Sequence, residues 1–459
     1  MKVCKFGGTS LSTAVQVRKA CDIVQADPGR RFVVVSAPGR SDSGDVKVTD
    51  LLIAAAERRL AGETAETEVQ RVVDRFRAIQ KDLGLPDELG DGIAEDLRVR
   101  LQAETSHRER FIDAVKAAGE DNCARLVAAE LARRGAPARY VNPGAAGLLL
   151  SSEYGNARIL PESYDNLAAL RGAEGITVFP GFFGYTREGD VVTFPRGGSD
   201  ITGSVLAAAV RADEYENFTD VDSVCAVDPA VAPGVAPIRE LTYREMRELS
   251  YAGFRVLHDE AILPAVHARI PIRILNTNRP ELPGTKIVAE RRAEHGQPVG
   301  IAGHDGFCSV FVGKYLMNRE IGFGRRFLQI FEEEGVSFEH MPSGMDNVSI
   351  ILREADIDAN VEQRILRRIR KELDADSVDI ERGLALVMLV GEGMRFTVGL
   401  AARACVALAE AGINIEMINQ GSSEISMMFG VKSAACHAAM RALYEEFFAR
   451  GDGKAGTRL

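Results

Sequence analysis

Two short segments hold residues suited to managing a multiply charged anion. In Lys5-Phe6-Gly7-Gly8-Thr9-Ser10 a β-rich run ends and a helical pattern begins. Paired glycines let the backbone turn tightly and come close to a ligand. Thr9 and Ser10 are N-cap types for a helix expected over about 12–25. Leading amides and the helix dipole favour an anion there, and Lys5 adds a full positive charge. The order differs from a Walker loop, in which the lysine follows the glycines. Arg196-Gly197-Gly198-Ser199-Asp200 repeats the device: two glycines, a Ser cap, a small-residue helix over 201–212 and a charged residue just ahead. The planar fork of Arg196 suits a carboxylate or a phosphate. Asp200 has two readings, a helix-capping carboxylate or a counter-charge for lysine or metal-bound water.

Other candidates carry two readings each. Phe218-Thr219-Asp220-Val221-Asp222 is either a turn or a polar group at the carboxyl end of a strand, where α/β sheets bind ligands. Glu120 follows Gly119 at the start of a helix expected over 121–134, where its position alone favours a cap over a functional role. Lys47-Val48-Thr49-Asp50 stands ahead of another helix and is equally open. Glu339 and Glu416 follow strands, with Ser337 and Asn414 two residues before them.

The elements that position these residues read as α/β over residues 1–290. Lys2–Phe6, Phe32–Ser36, Ile176–Pro180, Tyr215–Phe218 and Ile270–Leu275 are strand-like, and 50–135 is helical with a break at Gly84-Leu85-Pro86. The polar, proline-punctuated run Pro280–Pro298 is the best linker candidate, with the linker proper taken as 291–302. Beyond it lies an internal repeat. Segment 321–352 falls on 398–429 with identities at Gly322/Gly399, Arg326/Arg403, Glu333/Glu410, Gly335/Gly412, Glu339/Glu416, Gly344/Gly421 and Ser349/Ser426. Two small α+β modules, 303–382 and 383–459, are expected, each reading strand, loop, helix, Gly, strand, turn, strand.

Composition narrows the function classes. The chain has 459 residues, 46% hydrophobic and 27% charged, with net charge −10. No basic stripe suggests nucleic acid, and no apolar run approaches the ~18 residues of a membrane helix. No secretory signal is visible. The seven cysteines are far apart with no C-x-x-C pair, and the seven histidines form no H-E-x-x-H. A cytoplasmic protein with scattered thiols and no protein-built metal site is expected.

Taken together, the motifs resemble the aspartate kinases of the amino-acid kinase family. The likeness runs through Lys5–Ser10, Val33–Gly39, Lys47–Leu52, Gly155–Ile159, Pro180–Phe182, Arg196–Asp200, Thr219–Asp222 and Pro283–Thr285. The repeat resembles paired ACT regulatory modules, and Tyr251–Glu260 resembles the bacterial monofunctional subgroup. The resemblance implies an amino-acid-kinase sandwich with a mostly parallel central sheet, then two ferredoxin-like ACT modules. It implies ATP-dependent phosphorylation of the β-carboxylate of L-aspartate, with Mg²⁺ carried on the nucleotide. Lys5 and Asp200 would be catalytic. Arg196 would clamp the substrate carboxylate and Glu120 its α-ammonium, with Ser36, Thr49, Phe182, Gly197, Gly198 and Ser199 completing the pocket. Gly7, Gly8, Thr219, Asp220, Cys225, Ala230 and Arg255 would join Lys5 at the nucleotide. Many relatives carry Tyr, Arg and Lys where this chain has Cys225, Ala230 and Arg255. Met317, Gly322, Phe323, Ser337, Phe338 and Glu339 would bind an effector, lysine and/or threonine. Asn414, Ile415 and Gln420 lie at the matching places of the second copy, as effector ligands or interface residues. ACT pairing implies a homo-oligomer. The competing readings are a sister kinase acting on another acid and a non-catalytic amino-acid sensor.

Overall fold

The computed structural model describes Met1–Ala449 apart from Ser43, Arg196, Arg255, Val256, His258, Asp259, Glu260 and Ile262. Two compact units emerge. One comprises Met1–Val224, Pro237–Ser250 and Arg255–Arg291; the other comprises Cys225–Ala236, Tyr251–Phe254 and the chain from Arg292 onward.

Through residue 288 the elements are β1 (Lys2–Phe6), α1 (Ala14–Ala26), β2 (Arg30–Val35), α2 (Val48–Leu60), α3 (Glu66–Leu83), α4 (Asp87–Leu101), α5 (Arg108–Lys116), α6 (Ala118–Arg133), β3 (Ala138–Tyr140), α7 (Glu162–Ala168), β4 (Ile176–Pro180), β5 (Phe183–Tyr185), β6 (Val191–Thr193), α8 (Gly198–Ala209), β7 (Glu214–Thr219), β8 (Glu240–Thr242), α9 (Tyr243–Tyr251), α10 (Leu263–Ala268), β9 (Ile272–Asn276) and β10 (Thr285–Val288). Eight strands form one sheet in the order β3-β4-β2-β1-β7-β9-β10-β8. All neighbours run parallel except β9 and β10. The first strand has β2 on one side and β7 on the other, a topological switch point with a crevice outside the strands' carboxyl ends.

Period-two alternation assigns each side chain of β1 to a face. Cys4 and Phe6 join Val33, Val35 and Phe218 in an apolar core shared with α1–α6. Phe6 stacks on Phe218 with ring centroids 4.9 Å apart. The opposite face carries Lys5 and is covered by α8. In α1, Ala14, Val17, Cys21 and Val24 make the buried stripe that a helix spacing of three and four produces.

Three local expectations need correction. The cap of α1 is Thr13, whose side chain accepts the Gln16 N–H at 3.3 Å. Thr9 and Ser10 lie instead in a 3₁₀ turn, Gly8–Leu11, and the Ser10 hydroxyl meets that of Thr277 at 2.6 Å. Ser199 does not cap α8; Gly197, at φ 80°, takes the cap position and Ser199 lies inside the first turn. The run Pro280–Pro298 is not all linker, because β10 lies within it. Thr285 and Ile287 are fully buried, and the Thr285 hydroxyl donates to the Ile238 carbonyl at 2.7 Å.

The second unit is built on β11 (Gly300–Gly313), α11 (Phe323–Glu333), β12 (Asn347–Arg353), α12 (Ala359–Glu372), β13 (Ser377–Val390), α13 (Leu400–Glu410), β14 (Met417–Asn419), β15 (Ser426–Lys432) and α14 (Cys436–Tyr444). They make a single antiparallel sheet ordered β12-β11-β13-β15-β14. Two 14-residue strands, β11 and β13, pair from Gly300↔Val390 to Gly313↔Ser377, so both repeats hang on shared strands. Val299, Ile301 and Ala302, at the end of the expected linker, are buried. The repeat's matched glycines have a backbone reason. Gly322 and Gly399 precede α11 and α13 at φ 80° and 86°, and Gly335 and Gly412 follow them at 72° and 71°. The copies differ beyond that point: the second forms β14, whereas the first makes only isolated bridges at His340 and Ser343. No helix among the described residues is long and apolar enough to cross a membrane.

Candidate active site

The face of β1 turned toward α8 delivers a buried cation. Lys5 is 8% exposed, and its Nζ lies 2.6 Å from Asp200 Oδ1 and 3.4 Å from Asn217 Oδ1. Asp200 stands in the first turn of α8, so its carboxylate also meets the positive end of that helix. The Asn217 amide donates to Asp200 Oδ1 at 2.8 Å, and the buried Tyr215 hydroxyl donates to the Asp200 carbonyl at 3.2 Å. Of the two readings of Asp200, this geometry takes the counter-charge. A paired buried charge of this kind contributes little net stability, since desolvation offsets the attraction. Its value is a lysine held in one position.

Asn217 was not singled out by sequence. Its signal is register: β7 runs parallel to β1 with Asn217 opposite Lys5, so a buried amide in this strand has a cross-strand partner.

Bare backbone brings the loops around this lysine together. A side chain at Gly7 would place its Cβ 3.7 Å from Lys5 Nζ, and one at Gly8 would come within 2.9 Å of the Ala37 carbonyl. Gly39 donates to the Gly8 carbonyl at 2.8 Å. The Gly7 N–H is committed to the Phe218 carbonyl at 3.1 Å, so that amide is not among those offered to an anion. Ser36, just past β2, donates its N–H to the Phe6 carbonyl at 3.1 Å, and Thr49 is half-buried in the first turn of α2. On the α8 side, a Cβ at Gly181 would strike the Ser199 hydroxyl at 2.6 Å, and one at Gly198 would strike the Phe182 ring at 2.6 Å. Phe182 holds φ 74°, rare for a non-glycine residue, with its N–H on Thr202 Oγ1 at 3.1 Å.

Glu120 lies within α6 and is 5% exposed. It accepts the Ala37 N–H, while Oε2 has no hydrogen-bond partner. Burial pushes its carboxyl up to about 8, against the pull of the Ala37 N–H and the Lys116 charge. A buried carboxyl with one unpartnered oxygen fits a ligand ammonium.

The other expected residues lie on further elements. Thr219 closes β7 and its hydroxyl meets Asp220 at 3.3 Å, while Asp222 accepts from Asn276 at 2.7 Å and Arg279 at 2.6 Å. Cys225 and Ala230 belong to the second unit, where Ala226 N donates to the Ala236 carbonyl at 3.0 Å. Arg196 and Arg255 lie outside the described residues. Met317 and Phe323 are buried, Ser337 and Phe338 exposed, and Gly322 caps α11. Glu339 already faces a cation: Arg353 Nε lies at 2.7 Å and the Tyr251 hydroxyl donates to its other oxygen. Among the described residues no group of three or more His, Cys, Asp or Glu could hold a metal ion.

A sheet with this switch point, a buried lysine beside the Gly7-Gly8 turn and a buried carboxyl bonded to Ala37, which borders that turn, fit a small-molecule phosphotransferase. The amino acid kinase family model matches residues 1–276, and an ACT-domain model matches 387–447. Aspartokinase 3 of Bacillus subtilis is 55% identical over 98% of this chain and 99% of its own. Among solved structures, the aspartate kinase of Clostridium acetobutylicum, an allosteric enzyme, is 35% identical and covers 97% of this chain and 100% of its own at a TM-score of 0.87. Escherichia coli aspartokinase III, in complex with lysine and aspartate in a T-state, is 26% identical, with coverage of 98% and 99% and a TM-score of 0.78. The chain belongs to the amino acid kinase family and, within it, to the aspartate kinases.

Proposed function

We propose that the chain transfers the γ-phosphoryl group of ATP to the β-carboxylate of L-aspartate, giving 4-phospho-L-aspartate. The observation that carries this reading is Lys5, fixed by Asp200 and Asn217 where the Gly7-Gly8 turn leaves room beside its Nζ. The attacking carboxylate is ionised at neutral pH, so no general base is needed. Catalysis then consists of aligning two anions and neutralising their repulsion. Unit charges 4 Å apart repel by about 4 kcal/mol at an effective dielectric of ~20, and a triphosphate multiplies that. Lys5 supplies charge at the transferring group, and the leading amides of the 3₁₀ turn and of α8 supply fixed dipoles. Glu120 Oε2 accepts the substrate ammonium, with Ser36, Thr49, Arg196, backbone at Phe182 and the turn Gly197-Gly198-Ser199 around the amino acid. Thr219, Asp220, Cys225, Ala230 and Arg255 remain the proposed nucleotide residues. The donor set fits Mg²⁺ held mainly by phosphates and water, since Asp200, the one carboxylate paired with Lys5 among the described residues, is shared with it.

The second unit is proposed to be regulatory. Its effector is lysine and/or threonine, near Met317, Gly322, Phe323, Ser337, Phe338 and Glu339. The lysine held by the Escherichia coli relative supports the first of these. Pairing with a second copy of the chain is proposed through the ACT repeats, where Ile321 and Val398, equivalent in the two copies, are each 99% exposed.

Trapping acyl phosphate with hydroxylamine tests the activity. Hydroxamate should form with ATP and aspartate and not with glutamate or N-acetylglutamate. Its absence with aspartate overturns the reading, and flat activity curves against lysine, threonine and their mixture overturn the regulatory part.

A further inference from the structure

Asp113 lies in none of the motifs read from sequence, yet it is 1% exposed. Its Oδ2 accepts two backbone N–H groups from distant segments, Gly155 and Thr193, each at 2.8 Å. Its Oδ1 pairs with Lys116 Nζ at 2.8 Å, one turn further along α5. Both oxygens of this carboxylate are therefore engaged in holding other groups still.

Those groups lead to the amino-acid pocket. Thr193 ends β6, and its carbonyl accepts the Ala157 N–H at 3.1 Å, which joins the Gly155 loop to the same strand. The next residue, Phe194, donates to the Phe182 carbonyl at 2.9 Å, and the chain then turns through Gly197 into α8 with Ser199 and Asp200. The ammonium of Lys116 stands 5.5 Å from the centroid of the Phe182 ring, a cation–π distance. Phe182 is the residue at φ 74°, so its unfavourable backbone has to be held by neighbours. Thr202 holds its N–H, Phe194 its carbonyl and Lys116 its ring. The charge of Lys116 also acts on Glu120, four residues onward.

We infer that Asp113 and Lys116 are positioning residues for the amino-acid substrate. Asp113 fixes β6 and the Gly155 loop, while Lys116 fixes Phe182, and neither touches substrate. The inference deepens the activity proposed above and rests on it. It assigns the pair to the amino-acid side of the reaction and away from ATP.

The test is steady-state kinetics of the full chain, with aspartate and ATP varied separately, on Asp113→Asn, Lys116→Met and Lys116→Arg. Thermal melts report folding. Asp113→Asn keeps an oxygen for the two amides but turns an NH₂ toward Lys116. Lys116→Met removes the cation and keeps the stem. Both should lower kcat/KM for aspartate by roughly 10- to 100-fold, mostly through KM, with KM for ATP within about twofold. Lys116→Arg should recover most of the loss. Equal loss toward both substrates, or an unchanged KM for aspartate in folded Lys116→Met, overturns the positioning role. A wild-type chain that forms no hydroxamate from aspartate overturns the activity itself, and the inference with it. Should Asp113→Asn fail to fold, the two Lys116 variants decide.

Discussion

The two units differ in whether they bury charge. The first has surface pairs such as Arg108–Glu57, but it also holds charged groups inside: Lys5 against Asp200, Asp113 against two amides and Lys116, and Glu120 against backbone N–H groups with one oxygen left over. In the second, ion pairs lie on the surface. Arg368 on α12 reaches Glu372 at 2.6 Å and Glu333 at 2.5 Å, and Arg364 reaches Glu334 at 2.8 Å. What the second unit leaves unspent is apolar, at Ile321 and Val398. A buried pair has paid for desolvation and is useful where a ligand's charge must meet a fixed dipole. A solvated pair costs little and does little, and its neighbourhood is free to change partners.

The contrast can be broken most directly at Lys5. Lys5→Met should reduce kcat roughly 1,000-fold while far-UV circular dichroism stays unchanged. A near-normal rate would remove the buried cation from the chemistry. Glu120→Gln comes next. It should raise KM for aspartate roughly 30- to 100-fold, the worth of a charge-assisted bond in a dry site.

That residue also predicts pH dependence. Its carboxyl is held at about 8 by burial, so the carboxylate form grows as pH rises toward that value. The rate kcat/KM for aspartate should climb to about pH 8 and then level, and Glu120→Gln should abolish that limb. Stability has the opposite sign. Between the ordinary glutamate value and about 8 the folded chain holds one more proton than the unfolded chain, so stability falls as pH rises through that window. Melting curves of wild type and Glu120→Gln should converge at acid pH and separate above neutrality, with wild type the less stable.

Effects in the second unit should be smaller. Ile321→Ser and Val398→Ser should leave kcat unaltered and weaken self-association in sedimentation velocity; an unchanged association state would sever the exposed apolar pair from assembly. Arg368→Ala should shift the melting temperature by no more than about 2 °C, less still at high salt. A larger loss would mean that the surface network carries more than its solvation allows.

Much of this was legible in the chain. Lys2–Phe6 and Ile176–Pro180 appear as strands with the predicted limits, because β-branched and apolar runs bounded by small residues have few alternatives. The Gly-Gly turns, Lys5 and Glu120 were visible as types at telling positions. Asn217 and Asp113 were not. Each depends on a partner more than 75 residues away, Lys5 for one and Thr193 for the other, and no local pattern reports such a pairing. The strand β10 was lost in a proline-rich run because its two buried residues are too few to make a period.

The sequence by itself determined the local backbone. Glycines at 322, 335, 399 and 412 allow left-handed turns that the repeat requires, and alternation along β1 fixed Lys5 on the face opposite Cys4 and Phe6. Only the tertiary structure decided what that face would meet. Side-chain direction is a matter of the residue and its neighbours, whereas the charge across the gap comes from a helix that starts almost two hundred residues later. Electrostatic free energy depends on that distance and on the water excluded between, and both are set by packing.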